Sequence, residues 1–221
     1  MNQAMKNKQY LLFLLVIVIS ITKSTAQVPV MKEPRHKPVL VNNYVRLLDV
    51  HINPGDTTLY HIHATPSVIV FISKSTIGAQ KMGEAPSAAN AVLPAQTSFA
   101  NYGANPITHR VFNAGENIFH VMDIELVRKE PSADSCAALT NVATTINEKL
   151  VRVYKFDVSH QQPFIATKNS CAHLLICISG EINTPAKKLQ AGDYIFYDPG
   201  KSISITNNQE QGATCVMLEL K

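Results

Sequence analysis

The chain has 221 residues, of which 46% are apolar and 16% charged, and its formal net charge is +4. This length allows one large domain or two domains of about 100 to 150 residues. The apolar content, nine glycines and four cysteines exclude a disordered chain, a collagen-like chain and a disulfide-dense mini-protein. The composition therefore predicts an ordinary globular protein with a buried core.

Residues 1–26 have the three regions of a secretory signal peptide. Lys6 and Lys8 lie in a stretch without acidic residues, the apolar run 11–20 follows, and small residues lead up to Ala26. The run is shorter than the roughly 20 residues that cross a bilayer. We therefore expect a cleaved signal peptide, a periplasmic or secreted mature protein and no permanent membrane anchor.

Removal of that peptide also removes most of the positive charge. Residues 1–26 hold three lysines and no acid, which leaves 17 basic against 16 acidic side chains. Binding to nucleic acid would need a basic patch or stripe, and the mature sequence has no such cluster. We expect no nucleic-acid partner.

Short β-branched and aromatic runs, separated by turn residues, make up most of the mature chain. Their spacing predicts an all-β sandwich or barrel. One helix is predicted over 132–149, with Ser132 as its cap. The predicted strands are 44–52, 68–72, 108–112, 118–127, 150–158, 174–178, 194–197, 202–205 and 214–220.

The two strand sets resemble one unit used twice. A shift of 106 aligns Val45 with Val151, and a shift of 94 aligns Asn113 with Asn207. The difference is assigned to the Ala/Pro/Asn-rich stretch 75–96, which is predicted as a loop. The predicted organisation is a signal peptide at 1–26, a first domain at 27–130, a linker at 131–149, helical by the prediction above, and a second domain at 150–221.

Histidines supply the candidate chemistry. In a strand, residues i and i+2 face one side about 6.6 Å apart, so His61 and His63 would present two imidazoles to one face. A third imidazole from a neighbouring strand would close a metal site. The spacing alone is weak evidence, because eight histidines produce a chance His-x-His roughly 0.3 times in a chain of this length.

The surrounding residues resemble the cupin superfamily. Gly55 is followed by five residues and then His61-Ile62-His63, and His109 is followed by three residues and then Asn113, as in the two cupin motifs. The resemblance covers about residues 40 to 127 and 148 to 221. It implies two tandem cupin barrels, which are double-stranded β-helix or jelly-roll barrels, with metal ligands His61, His63 and His109 in the first.

The first half departs from the family pattern at one ligand. Ser67 or Val68 stands where the family has a Glu. A dication among three neutral imidazoles would keep its full charge and about three open positions, which favours an anionic or bidentate substrate, O₂ or activated water. The ligand set resembles that of the Fe(II) thiol dioxygenases. One divalent transition metal is implied, and Fe, Zn, Mn, Ni and Cu all remain open.

The second half lacks the histidine motif. Thr167, Asn169 and Ile203 occupy the positions equivalent to the three histidines. We therefore expect the second barrel to bind no metal in this manner, and to be structural or a partner surface for the first.

Four other polar residues have predicted roles outside the three-histidine motif. His173 falls at the missing Glu position of the second half and is predicted as a hydrogen-bonded core residue. His120 is an alternative fourth ligand, although a histidine on a sheet face is the simpler expectation. Glu125 and Glu219 are predicted as exposed charges, with Glu125 near the site if its face points inward.

Four cysteines, Cys136, Cys171, Cys177 and Cys215, allow three pairings. Cys171 and Cys177 would lie on one strand about 20 Å apart, which excludes a bond between them. The other pairings, and unpaired core thiols, remain open.

Two functions follow from the resemblance. The first is an exported metal-binding cupin that acts as a mononuclear Fe(II)-dependent oxygenase on a small polar molecule. The alternative is a non-enzymatic periplasmic cupin that binds a sugar, a small acid or the metal itself. A monomer and a homodimer are equally compatible with the sequence.

Overall fold

The structure is a computed structural model that describes residues 27–131, 136–166 and 170–221. The predicted signal peptide and Ser132 lie outside these ranges. Within them, no helix is long and apolar enough to cross a membrane. The described elements are a 3-10 helix at Val30–Lys32 and the strands β1 Val28–Pro29, β2 His36–Val41, β3 Val45–Ile52, β4 His61–His63, β5 Ser67–Phe71, β6 Ser75–Lys81, β7 Asn90–Val92, β8 Thr97–Ala100, β9 Ile107–Asn113, β10 Phe119–Leu126, β11 Ala143–Asn147, β12 Val151–Val158, β13 Phe164–Ala166, β14 Ala172–Ser179, β15 Glu181–Asn183, β16 Lys188–Gln190, β17 Tyr194–Tyr197, β18 Ile203–Ile205 and β19 Ala213–Leu220.

The first half folds into two five-stranded sheets that face each other. One sheet has the order β1-β4-β9-β6-β7 and the other β2-β3-β10-β5-β8. In the second sheet, β3 and β10 pair antiparallel from Val45 with Leu126 to Ile52 with Phe119. Successive side chains alternate between the two faces of a strand. Phe119, Val121 and Asp123 therefore point into the barrel, while Met122 and Ile124 point away from it.

The second half has one five-stranded sheet and two small hairpin sheets. The large sheet has the order β11-β12-β19-β14-β17, and β13-β18 and β15-β16 lie across from it. Its interior is filled by apolar side chains such as Leu175, Met217 and Ile203, all of which are buried.

The two halves meet through their larger sheets. Leu47, Met122 and Ile124 of the first half share one buried cluster with Leu174 and Leu218 of the second. The β3–β10 pair consequently separates the interior of the first barrel from the second half. The two faces of this pair therefore have different neighbours.

Matching hydrogen bonds show that the two halves repeat one design. The Nδ2 amide of Asn113 donates to the carbonyl of Ile52 at 2.9 Å and to that of Asn117 at 2.8 Å. At the equivalent places, Asn207 donates to the carbonyls of Val158 at 3.0 Å and Gln211 at 2.7 Å. In each half, one buried amide side chain therefore fastens the end of a central strand to a turn.

A buried ion pair is repeated in the same way and corrects one prediction. Glu125 and Glu219 are almost fully buried rather than exposed. Glu125 accepts from Arg46, and Glu219 accepts from Arg152 Nη1 at 2.9 Å. Both glutamates stand at inward positions of a central strand, so burial follows from strand alternation, and the arginine neutralises the charge.

Two further predictions about local structure are wrong. The predicted helix over 132–149 does not form where the structure describes it, because β11 occupies Ala143–Asn147 and pairs with β12. Its β-branched residues favour a strand when a sheet edge is within reach. The stretch 75–96, predicted as a loop, contains β6 and β7, which pair as a hairpin and extend the barrel wall.

One disulfide joins Cys136 to Cys171, with their Cα atoms 5.6 Å apart. The exclusion of a Cys171–Cys177 bond is thereby confirmed. Cys177 and Cys215 are buried thiols that stand opposite each other on β14 and β19.

We expect Asn207→Ala to lower the free energy of unfolding by about 1 to 3 kcal/mol, because the buried carbonyl of Val158 and the part-buried carbonyl of Gln211 lose their donor. Urea unfolding followed by circular dichroism measures this change. The exposed neighbour Asn208 provides the matched control, and Asn208→Ala should leave stability within about 0.5 kcal/mol of the unchanged chain. Equal losses in the two variants would contradict the assigned role of Asn207.

Candidate metal centre

Two neighbouring strands of the first barrel bring the predicted histidines together. His61 and His63 are both buried on β4, and β9 pairs with it so that His109 stands opposite His61. The ring centroids of His61 lie 4.9 Å from His63 and 4.8 Å from His109, and those of His63 and His109 lie 5.0 Å apart. The three imidazoles form one cluster inside the barrel.

A fourth imidazole, which the sequence analysis did not find, joins this cluster. His36 on β2 places its ring centroid 4.7 Å from that of His61. One ligand atom from each of His36, His61 and His63 lies within 4.8 Å of the other two. His36 precedes both motifs and belongs to the other sheet, so no local spacing links it to them.

Hydrogen bonds orient two of these rings. His36 donates from Nδ1 to Glu33 Oε2 at 2.8 Å, and His61 donates from Nδ1 to the Leu59 carbonyl at 2.9 Å. The backbone N–H of Leu59 in turn donates to Glu33 Oε1 at 3.1 Å. A histidine whose Nδ1 is engaged presents its Nε2 to a ligand, an arrangement common around protein-bound metals.

Three imidazole nitrogens of the cluster lack a hydrogen-bond partner within the described residues. They are Nε2 of His61, Nδ1 of His63 and Nε2 of His109, and all three are buried. A buried polar atom without a partner is costly unless a ligand or ion completes it. The cluster is therefore a candidate binding site for a ligand or a metal ion.

Burial keeps the imidazoles neutral. It lowers the pKa of His61 to about 3, that of His63 to about 2 and that of His109 to about 4, with neighbouring histidines adding to each shift. Burial alone would raise the pKa of Glu33, but hydrogen bonds led by that from His36 lower it to about 2. Neutral imidazole is the form that binds a metal ion.

A buried carboxyl group stands beside the histidines. Asp123 Oδ2 on β10 lies 3.5 Å from His63 Nδ1. Burial, followed by the Glu125 carboxylate, raises the pKa of Asp123 to about 7, although Ser67 and Arg46 oppose the rise. Asp123 was also not found from the sequence, although its inward position within an apolar strand was a usable signal.

The imidazoles and Asp123 line a cavity of about 120 Å³. The ring of Tyr102 covers His63 at a centroid distance of 4.9 Å. The rest of the wall is apolar and includes Ile52, Phe71 and Val121. An engineered cavity of about 150 Å³ holds one benzene molecule, so this cavity admits only a small ligand.

Comparisons with known proteins agree on the architecture. No protein-family model and no curated protein matches this sequence. Among solved structures, bacterial pirin YhhW in complex with nickel(II) from Escherichia coli has a TM-score of 0.60 at 13% identity, with 84% of this chain and 90% of that chain covered. A cupin 2 conserved barrel domain protein from Leptotrichia buccalis has a TM-score of 0.51 at 6% identity, over 82% and 86%. The chain has the cupin fold.

A third solved structure is similar in fold. A salicylate 1,2-dioxygenase from Pseudaminobacter salicylatoxidans has a TM-score of 0.55 at 7% identity, with 80% of this chain and 71% of that chain covered. At this level of identity the likeness concerns the fold. The chemistry of this chain has to be argued from its own residues.

The residues of the first cupin barrel fit a metal ion. Imidazole nitrogen is a good donor for divalent transition metals, and three such atoms of the cluster are buried without a hydrogen-bond partner among the described residues. Ser67 or Val68 is predicted at the Glu position of the family pattern. Ser67 is buried on β5 opposite Glu125, whereas Val68 packs in the cluster between the two halves. The nearby carboxyl group of Asp123 comes instead from another strand.

The remaining predicted residues lie elsewhere. His120 is directed to the outer face of β10, where its Nε2 lies 2.8 Å from Asp49 Oδ1, so the alternative of a fourth ligand in the barrel is wrong. His173 is buried in the second cupin barrel, with Nε2 3.8 Å from Glu219 Oε2. Ile203 belongs to the apolar interior there. Thr167 and Asn169 lie outside the described residues.

We expect the imidazole rings of His61, His63 and His109 in the metal-free protein to stay neutral between about pH 5.5 and about pH 8. Their lowered pKa values keep all three neutral over this range, whereas an unperturbed imidazole titrates near 6.5. Imidazole-resolved NMR, with each signal assigned by a His→Gln variant, measures the effect. A titration of any of the three near pH 6.5 would contradict the stated environment.

Proposed function

We propose that this chain is an exported metal-binding cupin that acts as a mononuclear Fe(II)-dependent oxygenase on a small polar molecule. The observation that carries the proposal is the cluster of buried, neutral imidazoles around unpartnered Nε2 atoms of His61 and His109. His61, His63 and His109 are the proposed ligands, and His36 adds a fourth imidazole to the same cluster.

The charge of the site favours an anionic substrate. Neutral imidazoles leave the charge of a dication uncompensated, and the carboxyl group of Asp123, with a pKa near 7, contributes at most one negative charge. The cavity limits the substrate to about the size of benzene, less the volume that the metal takes. A small carboxylate is the chemical class that fits both limits.

An iron(II) ion would supply binding positions for O₂ and for the substrate oxygen atoms. In a dioxygenase reaction both atoms of O₂ enter the product, so no external reductant is needed. Asp123 is the residue suited to accept a proton from the substrate or return one to it, because its pKa lies near neutral pH. Apolar side chains such as Ile52, Phe71 and Val121 form the rest of the wall around these groups.

Export is the second part of the proposal. It is supported by the signal-peptide pattern of residues 1–26 and by the disulfide between Cys136 and Cys171, a bond typical of oxidising compartments. The proposed location is the periplasm or the extracellular medium.

A non-enzymatic cupin that binds a small acid, a sugar or the metal itself is the second candidate. The observation in its favour is that Ser67 or Val68 stands where the family pattern has a Glu ligand, and neither side chain binds a divalent cation well. Conversion of a substrate by the metal-loaded protein would distinguish the oxygenase from the non-enzymatic binding protein.

We expect the purified protein, loaded with Fe(II) or Zn(II), to retain metal at its barrel site after desalting, and His61→Ala with His63→Ala to lose it, because two ligands are removed. Elemental analysis measures the metal content per chain. His160→Ala is the matched control, because His160 is exposed in the second half. Equal metal content in the double variant and the unchanged chain would rule out the proposed ligands.

We expect the Fe(II)-loaded protein to consume O₂ with at least one member of a panel of small carboxylates, and Asp123→Asn to lower kcat by about 100-fold or more at unchanged metal content. An oxygen electrode and product mass spectrometry measure the reaction. If calorimetry shows that a carboxylate binds but no O₂ is consumed, the oxygenase function is overturned in favour of the non-enzymatic binding protein.

A further inference from the structure

A second group of metal-ligating side chains lies outside the cavity. Asp49 and His51 are two residues apart on β3, and His120 stands directly opposite His51 on β10. Because residues i and i+2 share a face, and opposed residues share that face too, all three point away from the barrel interior. The cluster thus lies on the outer face of the same strand pair whose inner face carries Asp123.

The geometry of this cluster is compact. His120 Nε2 lies 2.8 Å and His51 Nδ1 lies 3.6 Å from Asp49 Oδ1. The two imidazole rings stack with a centroid distance of 4.0 Å. One ligand atom from each of the three residues lies within 4.8 Å of the other two. Two imidazoles and one carboxylate are a donor set that suits divalent transition metals.

One ligand is held in place while another is open to solvent. A Cβ atom added at Gly192, in the turn before β17, would meet His120 Cε1 at 2.6 Å, so the backbone of that turn lies against the ring. The side chains of His120 and Asp49 are only 18% and 24% exposed, whereas that of His51 is 46% exposed. A cation can therefore enter from the His51 side, and water can complete its coordination.

The repeated design of the chain shows that the fold does not require this cluster. The equivalent positions in the second half carry Lys155, Asp157 and Thr214, and there Thr214 Oγ1 donates to Asp157 Oδ1 at 2.7 Å. That half forms the same central strand pair without a metal-ligating trio. The two histidines are therefore particular to the first half.

We propose that Asp49, His51 and His120 form a second site for a divalent transition metal, on the outer face of the first barrel where it meets the second half. The site is separate from the proposed barrel centre, because the β3–β10 pair lies between the two donor sets: the barrel histidines are inside, and Asp49, His51 and His120 are on the outer face. Lys37, which pairs with Asp49 across β2 and β3, is the nearby positive charge that opposes the cation.

The test uses Zn(II) alone as the probe and counts bound metal. After equilibrium dialysis against Zn(II), elemental analysis should give two zinc ions per unchanged chain. His51→Gln with His120→Gln should retain one, and His61→Ala with His63→Ala should also retain one. The combined variant should retain none, and the control His160→Gln should retain two.

Results that overturn the second site are distinct from those that overturn the first. A second zinc ion that persists in His51→Gln with His120→Gln overturns it, as does a single zinc ion in the unchanged chain that only the barrel variant loses. A single zinc ion that only the outer variant loses supports the second site and overturns the first.

A conservative variant guards against loss of folding. Asp49→Asn keeps the shape of the side chain and removes its charge, so the affinity of the outer site should fall at least about tenfold while the barrel site is unaffected. Calorimetric titration with Zn(II) resolves the two sites, and the thermal melting temperature without metal shows that the variant is folded. An unchanged pair of affinities in folded Asp49→Asn overturns the proposal.

Discussion

The pairing of β3 with β10 is the interaction on which the rest of this structure depends. Eight consecutive residue pairs fix the register from Val45 with Leu126 to Ile52 with Phe119. A slip of one residue would exchange the two faces of β10, which would turn Met122 and His120 into the barrel and Asp123 toward the second half. Because one face lines the cavity and the other packs on the second half, this register is held from both sides.

The two halves share a skeleton but have different interiors. Each has a central strand pair, a buried amide at Asn113 or Asn207 and a buried arginine–glutamate pair. The first half places imidazoles in a cavity, whereas the second fills the same space with apolar side chains such as Leu175. Burying neutral, oriented imidazoles costs stability, and the apolar interior of the second half together with the shared interface offsets that cost.

The positions of the two sites, inside and outside the first barrel, depend on side-chain alternation along β10 and on which strands pack against it. Alternation along β10 sends Asp123 inward and His120 outward. Only pairing with β3 and packing against β4 decide what each side chain meets, which is His63 in one case and Asp49 in the other. The same strand therefore contributes to two chemically different clusters, and its sequence alone names neither partner.

The sequence by itself determined most of the strand pattern, because alternation is local, and the duplication, because matching residues recur at a constant shift. The three histidines followed from the resemblance of two short motifs to those of the cupins. The fold class and the cluster of His61, His63 and His109 could therefore be predicted. The tertiary structure alone decided that His36 joins them, that Asp123 stands beside His63 and that Glu125 and Glu219 are buried. It also decided that β11 forms a strand, because a sheet edge is available to pair with it. These contacts join residues far apart in the chain, and they depend on the register between strands, which local composition does not specify.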